Sequence, residues 1–268
     1  MRALESVSRS PLQRFFYWLL VWKPVQRRRT QLSRQVDAAF DSTIGYGPFK
    51  GQRLTPGNWW GVKERACMIL GLYEQEILHS LMAVPIGYST FIDLGAGDGY
   101  YAVGALVSGR FRNAYCFEMS AEGRRVIADN ARLNRVADRL TIHGAAGADF
   151  YRAIPDVHLK DSVLFIDIEG GEFDICGPEM FEAFRNSVIF IELHSFFYAD
   201  GQARYERLVR DAEKWFAVTA MTTGARDLSQ FPELDRYDDT DRWLICSEGR
   251  KQRMQWLRLD PKAAGAAS

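Results

Sequence analysis

A glycine-rich turn that follows an acidic strand end is the clearest chemical signal in the sequence. The apolar stretch beginning at Phe91 reaches Asp93, after which Gly95, Gly97 and Gly99 alternate with other residues. Because glycine has no Cβ, such a turn can adopt positive φ and bring backbone N–H groups close to a ligand. The turn therefore predicts a binding site for a nucleotide-like molecule.

A second acidic residue at the end of a strand, Glu118, indicates which nucleotide-like molecule the site binds. It follows the predicted strand 113–117, about where α/β nucleotide sites place a carboxylate on ribose hydroxyls. An acid there would repel a 2′-phosphate, and the glycine turn lacks the Gly-x-Gly-x-x-Gly spacing that binds a pyrophosphate. The pattern favours S-adenosylmethionine over NAD or FAD. An NAD-dependent oxidoreductase is further disfavoured because the Tyr-x-x-x-Lys pair, Tyr46 and Lys50, precedes the first strand.

Polar side chains also lie at the ends of two later predicted parallel strands. Asp167 lies near the end of strand 162–168 and Glu169 follows it, whereas Glu192 and His194 lie at the end of strand 187–193. Ligands of open α/β sheets bind at the carboxyl ends of the strands, and alternate residues of a strand share a face. We therefore expect these side chains to converge with Asp93 at one mouth of the sheet. The alternative is a set of separate, solvated loop residues.

Three segments, 93–101, 167–172 and 189–194, resemble the signature blocks of the FkbM-type S-adenosylmethionine-dependent methyltransferases. The resemblance covers most of the chain's middle, and the acid-rich block 167–172 is its most specific part. It implies a class I methyltransferase fold: a Rossmann-like, doubly wound, mostly parallel seven-stranded sheet, here with an N-terminal helical and loop extension. It also implies methylation of a hydroxyl group on a sugar, glycolipid or secondary metabolite.

Each candidate site residue has a predicted role. The turn binds the methionine end of the cofactor, Asp93 accepts from its amino group, Glu118 takes the ribose, and Met119 lies against the adenine unless it merely fills the core. The predicted cofactor-binding residues are Asp93, Gly95, Ala96, Gly97, Gly99, Glu118, Met119, Ala145 and Asp167. The predicted catalytic residues are His194, Glu169 and Asp167.

His194 is the leading candidate for a general base. Its ordinary pKa lies near neutrality, and nearby carboxylates would raise it. Glu169 is the second candidate, and a purely structural histidine is the alternative. We predict no metal ion, although clustered acids leave a Mg²⁺ site open as a second interpretation.

Composition indicates the size of the domain, argues against nucleic-acid binding and indicates the redox state of the cysteines. The 268 residues, 47% of them hydrophobic, suffice for one α/β domain with a large core. Lysine plus arginine equals aspartate plus glutamate at 34 each, so no excess positive charge would attract a nucleic acid. The four cysteines show no metal-binding spacing, which predicts reduced thiols and a cytoplasmic protein. The family resemblance implies a small-molecule or glycan acceptor.

The apolar run 15–22 lies between Arg14 and Lys23, close to the arginine triplet 27–29. It is too short to cross a bilayer, which takes about 20 apolar residues, and no signal-peptide cleavage site follows it. We expect either peripheral contact with the inner membrane face through residues 15–29 or packing on the domain or a second subunit. The alternative function, a catalytically silent cofactor-fold module, would use this segment as a membrane or partner adaptor.

Alternating strand and helix patterns define the predicted organisation. We divide the chain into an amphipathic, basic extension (1–40), a loop and leading helix (41–89, the helix at 63–83), a methyltransferase domain (90–248) and a flexible tail (249–268). The predicted strands are 90–94, 113–117, 140–143, 162–168, 187–193, 216–223 and 242–246, and the predicted helices between them are 100–108, 121–134, 177–185 and 203–215. Trp59 and Trp60 are expected to pack on the core.

Overall fold

A computed structural model describes residues 10–56, 61–250 and 252–262 of the chain. The predicted packing of Trp59 and Trp60 lies outside these residues. Within them the chain forms one seven-stranded sheet. Its strands are β1 (Thr90–Leu94), β2 (Asn113–Phe117), β3 (Leu140–His143), β4 (Ser162–Ile166), β5 (Val188–Leu193), β6 (Phe216–Thr222) and β7 (Gln255–Pro261).

The strand order is β3-β2-β1-β4-β5-β7-β6. Strands β1 to β5 are parallel, as predicted, and β1 pairs with both β2 and β4. The order therefore reverses beside β1, which opens a crevice at the carboxyl ends of β1 and β4. The sheet as a whole is mixed, because β7 runs antiparallel to both β5 and β6.

Helices cover both faces of the sheet. They are α1 (Pro11–Tyr17), a π-helical turn (Trp18–Trp22), α2 (Lys23–Ala39), α3 (Arg65–Ile69), α4 (Gln75–Met82), α5 (Tyr100–Val107), α6 (Ala121–Leu133), α7 (Asp156–Leu159), α8 (Glu172–Ile175), α9 (Pro178–Ala183), α10 (Gly201–Ala212) and α11 (Asp239–Cys246). Short 3₁₀ turns occupy Ala137–Arg139, Phe150–Ala153, Ser195–Phe197, Leu228–Gln230 and Pro232–Leu234. None of the helices in the described part of the chain is long and apolar enough to span a membrane.

The core consists of two layers, one on each face of the sheet. Phe91 and Phe165 pack on one face, whereas their chain neighbours Ile92 and Leu164 pack on the other. This division follows from the strand period of two. All four side chains are fully buried, and each such burial stabilises the fold by about 1.5–3 kcal/mol. The positions of the strand ends are thereby fixed.

The carboxyl-terminal part of the chain corrects two predictions. Residues 255–261, assigned to a flexible tail, form β7 in the interior of the sheet, where Trp256 is fully buried. Residues 242–246, predicted as a strand, belong to α11, which begins where the Asp238 carboxylate accepts from the N–H of Asp241 at 2.8 Å. The apolar run at 244–246 suggested a strand, but this N-cap directs the backbone into a helix.

The leading helix, predicted as one helix over 63–83, is interrupted in the structure. The chain forms α3 and α4, separated by a bend in which Gly71 (φ 66°) and Glu74 (φ 45°) have left-handed backbone conformations. A Cβ on Gly71 would lie 2.5 Å from the carbonyl oxygen of Tyr46, so only glycine fits there. The bend places the buried Glu74 carboxylate near the crevice. By contrast, Ser120 caps α6 as predicted, accepting from the N–H of Gly123 at 3.3 Å.

Candidate active site

The glycine turn after β1 has the backbone conformation that the sequence predicts. Gly95, Gly97 and Gly99 have φ values of 84°, 56° and 83°. A Cβ on Gly95 would lie only 1.7 Å from the carbonyl oxygen of Asp167. The ends of β1 and β4 can therefore lie this close together only because Gly95 has no side chain.

The crevice is a cavity of about 710 Å³ beside this turn. Eight predicted site residues line it: Gly95, Ala96, Gly97, Glu118, Met119, Ala145, Asp167 and Glu169. Aromatic and aliphatic side chains supply most of the remaining wall, among them Tyr73, Tyr101, Phe117 and Ile168. Three predicted residues, Asp93, Gly99 and His194, are buried beside the cavity and do not belong to its lining.

The Glu118 carboxylate lies at the end of β2 and is 6% exposed. One oxygen accepts from the N–H of Gly97 at 3.0 Å and the other from the N–H of Ser120 at 2.7 Å. A carboxylate can accept about four hydrogen bonds, so each oxygen keeps capacity for a further donor. This arrangement suits a vicinal diol. Met119, beside it, is 80% exposed at the rim of the cavity.

Asp93 lies beneath the turn and is 2% exposed. Burial, and next the charge of Asp167, raise the pKa of Asp93 well above its ordinary value. Its Oδ2 atom has no hydrogen-bond partner among the described residues. A buried carboxyl oxygen without a partner is costly, so this position fits a donor group that arrives from the cavity.

His194 lies at the end of β5 and is 2% exposed. Its Nε2 atom faces three carboxylates, at 3.5 Å from Glu169, 3.6 Å from Glu192 and 3.9 Å from Asp167. Burial lowers the pKa of His194, but the carboxylates of Glu172, Asp167 and Glu169 outweigh it, so the pKa is raised from 6.5. The imidazole is therefore a stronger base than a free histidine.

Glu172 holds this histidine in place. Its fully buried carboxylate accepts from the backbone N–H of His194 at 2.6 Å and from the N–H of Gly170 at 2.8 Å. Gly170 (φ 105°) and the preceding Glu169 (φ 52°) are in left-handed conformations. The acid-rich turn after β4 is thus folded around Glu172 and attached to the end of β5.

Comparison with known proteins identifies the family. A family model described as the methyltransferase FkbM domain matches residues 94–237, more than half of the chain. The chain belongs to the FkbM methyltransferase family. It is an S-adenosylmethionine-dependent methyltransferase, as the resemblance of the three sequence blocks implied, and S-adenosylmethionine is its cofactor. The close glycine turn, the unpartnered Asp93 oxygen and the Glu118 carboxylate fit that molecule.

Solved structures with similar folds include three enzymes. An O-methyltransferase from Bacillus cereus in complex with SAH is 14% identical with a TM-score of 0.44, and the alignment covers 93% of this chain and 96% of that one. A precorrin-6y C5,15-methyltransferase from Geobacter metallireducens GS-15 is 13% identical (TM-score 0.46, coverage 77% and 93%). A spermidine synthase from Thermotoga maritima is 15% identical (TM-score 0.47, coverage 72% and 60%). No curated protein sequence matches the chain.

The structure of this FkbM methyltransferase adds one site residue that sequence reasoning missed. Arg250 donates to Glu192 at 3.0 Å and to Glu248 at 2.7 Å, and it also pairs with Glu74. Nothing in the sequence around Arg250 signals this role, because the residue lies in the segment predicted as a tail. Its partner Glu74 accepts from the hydroxyl of Tyr101 as well.

Burial dominates the ionisation of the two acids that contact Arg250. It raises the pKa of Glu74 to about 7, with the positive charge of Arg250 acting in the opposite direction. It raises the pKa of Glu192 to about 12, together with the negative charges of Asp167 and Glu74. The site of this FkbM methyltransferase therefore contains more carboxyl groups than cationic partners. Some of these carboxyl groups are protonated at neutral pH.

Three residues could hold a metal ion. Donor atoms of Asp167, Glu192 and His194 all lie within 4.8 Å of one another, a grouping found at no other place in the described part of the chain. Carboxylate and imidazole are common ligands of divalent cations. The guanidinium of Arg250, 3.0 Å from Glu192, already places one positive charge beside this group.

Proposed function

We propose that this FkbM methyltransferase methylates a hydroxyl group on a sugar, glycolipid or secondary metabolite, with His194 as the general base. The observation that carries this proposal is the buried imidazole of His194 at the cavity end of β5. Its Nε2 atom lies within 3.9 Å of Asp167 and Glu169, both of which line the cavity.

Bound S-adenosylmethionine supplies an electrophilic methyl group. A hydroxyl group is a weak nucleophile, and a positioned base contributes typically about 10²–10⁴-fold to such a reaction. His194 would accept the hydroxyl proton, because its raised pKa favours the protonated form once the proton has moved. Asp167 and Glu169 would stabilise the resulting imidazolium, and Glu169, at the cavity wall, would also orient the acceptor.

The chain's own residues would position the cofactor. The glycine turn 95–99 would lie against the methionine end, Asp93 would accept from its amino group, and Glu118 would hold the ribose diol. Met119 and Ala145 would flank the adenine, since both line the same cavity. Holding the reacting atoms about 3–3.5 Å apart and in line is itself a large part of the acceleration.

General features of the chain support the class of acceptor and the compartment. The equal numbers of basic and acidic residues, 34 each, favour a small-molecule or glycan acceptor over a nucleic acid. The cysteines Cys67, Cys116, Cys176 and Cys246 are all buried and unpaired, which supports a reducing, cytoplasmic compartment.

Labelled methyl transfer tests the proposal. The protein is incubated with methyl-tritiated S-adenosylmethionine and a cell extract, and the products are separated by cation exchange. Methyl ethers of neutral acceptors pass through the column, whereas methylated amines are retained. We expect labelled, unretained products that disappear with His194→Ala. Label found only in retained amines would contradict the hydroxyl assignment, and no label with any extract would contradict the activity.

A further inference from the structure

The helical segment before the sheet domain exposes apolar side chains on every face. No residue from Pro11 to Trp22 is buried, and the exposed fractions of the large apolar ones range from 38% at Leu19 to 66% at Leu20. The next stretch differs: Leu32, Ser33 and Val36 of α2 are buried, and this part of the helix packs against α3 and α11. The segment 11–25 thus projects from the body that the rest of α2 anchors.

All-round exposure restricts what can cover this segment. A partner groove or a second helix buries one stripe of a helix, and the opposite face is then polar. The run 15–22, Phe-Phe-Tyr-Trp-Leu-Leu-Val-Trp, has no polar face. Tryptophan and tyrosine are the residues enriched at membrane–water interfaces, where an apolar ring and a polar group are both accommodated. The lipids of a leaflet can contact all faces of an embedded helix, whereas a protein groove contacts only one.

A basic groove lies at the base of the projecting segment. It is a cavity of about 700 Å³, lined by Trp22, Lys23, Gln26, Arg27, Thr30, Gln31, Arg34, Gln35, Ala38 and Lys63. Four of these residues are cationic, four carry amide or hydroxyl groups, and none is acidic. The ammonium of Lys63 lies 5.9 Å from the ring of Trp22, which joins the groove to the apolar run. This lining complements an anionic group of phosphate size or larger.

We propose that residues 11–25 insert into the interfacial layer of one membrane leaflet and that the basic groove binds the headgroups of anionic phospholipids. Arg14 and Lys23 flank the apolar run, so both of its ends belong at headgroup level and the helix lies along the surface. Helices in the interfacial layer bury about 5–10 Å into the boundary between headgroups and acyl chains. The body of the protein, including the cavity of the sheet, is thereby held at the membrane surface.

Vesicle flotation with the full chain tests this proposal. One set of vesicles contains phosphatidylcholine alone and the other also contains phosphatidylglycerol. We expect the protein to float with the anionic vesicles and to bind the neutral ones at least about tenfold more weakly. Two variants each lower binding to anionic vesicles by at least about tenfold: one with Phe15, Phe16 and Leu20 changed to Gln, the other with Lys23, Arg27 and Arg34 changed to Gln.

Matched variants change equivalent side chains elsewhere. Ile86→Gln with Val157→Gln removes apolar side chains that are 90% and 74% exposed, and Arg112→Gln with Arg152→Gln removes two exposed cations. Both controls should float like the wild type, and circular dichroism should be unchanged in all variants. Wild-type protein that stays at the bottom with both vesicles would overturn the proposal. So would sedimentation showing that residues 15–20 hold a dimer while vesicle binding is unaffected by their substitution.

Discussion

The backbone N–H of His194 donates a 2.6 Å hydrogen bond to the carboxylate of Glu172. The other oxygen of the same carboxylate accepts from Gly170, so one fully buried side chain joins the loop after β4 to the end of β5. The two loops carry Asp167, Glu169 and His194, the predicted catalytic residues. Glu172 is therefore a positioning residue for the site.

Glu172→Gln should lower kcat at least about tenfold and reduce the free energy of unfolding by about 1–3 kcal/mol. The amide nitrogen of glutamine would face one of the two backbone donors and leave it unpaired. The affinity for S-adenosylhomocysteine, measured by calorimetry, should change less than twofold (about 0.4 kcal/mol). Glu179→Gln, an exposed acid on α9, is the control. Wild-type kcat in the Glu172 variant would contradict the positioning role.

The rate should depend on pH through His194. Since its pKa is raised from 6.5 by the surrounding carboxylates, the imidazole becomes a free base only above that pH. We expect kcat to rise with pH along a limb whose midpoint lies above 6.5. In His194→Ala this limb should vanish and kcat should fall about 10²–10⁴-fold, with unchanged affinity for S-adenosylhomocysteine.

The exposed histidine His79 on α4 provides the control for that substitution. His79→Ala should keep both the rate and the pH profile of the wild type. If His194→Ala retained the limb, the base would have to be another group, with Glu169 the next candidate.

Glu118→Ala should weaken binding of S-adenosylhomocysteine at least about tenfold, because hydrogen bonds to a charged group contribute about 1.5–3 kcal/mol. Calorimetry of the variant and of Glu122→Ala measures this effect. Glu122 lies in the first turn of α6 with its side chain 60% exposed, so its removal should leave the affinity unchanged. Equal affinity in wild type and the Glu118 variant would show that the ribose binds elsewhere.

Removal of metal ions should leave the activity unchanged. The guanidinium of Arg250 already places a positive charge beside Glu192, and a histidine base requires no divalent cation. The rate after dialysis against EDTA, compared with the rate after addition of Mg²⁺, measures this. Loss of activity that Mg²⁺ restores would instead make Asp167, Glu192 and His194 metal ligands.

The sequence alone determined the parallel half of the sheet and the edge at which the predicted site residues meet. Strands β1, β2, β4 and β5 are largely apolar and buried on both faces, and each is followed by a glycine or a polar residue that local patterns reveal. The conformation of the glycine turn follows from its residue types. Once these strands are parallel, Glu118, Asp167 and His194 must lie at one edge, because the strands' carboxyl ends coincide.

The tertiary structure decided the features that depend on distant partners. Residues 255–261 pair with both β5 and β6, and no local pattern distinguishes such a strand from a charged tail until those neighbours are present. Arg250 joins Glu74, 176 positions away, to Glu192, 58 positions away. At Gly71 the segment passes the carbonyl of Tyr46, 25 positions away, so closely that a Cβ would not fit. Local propensities act within a few residues, whereas these contacts form only after the chain has folded.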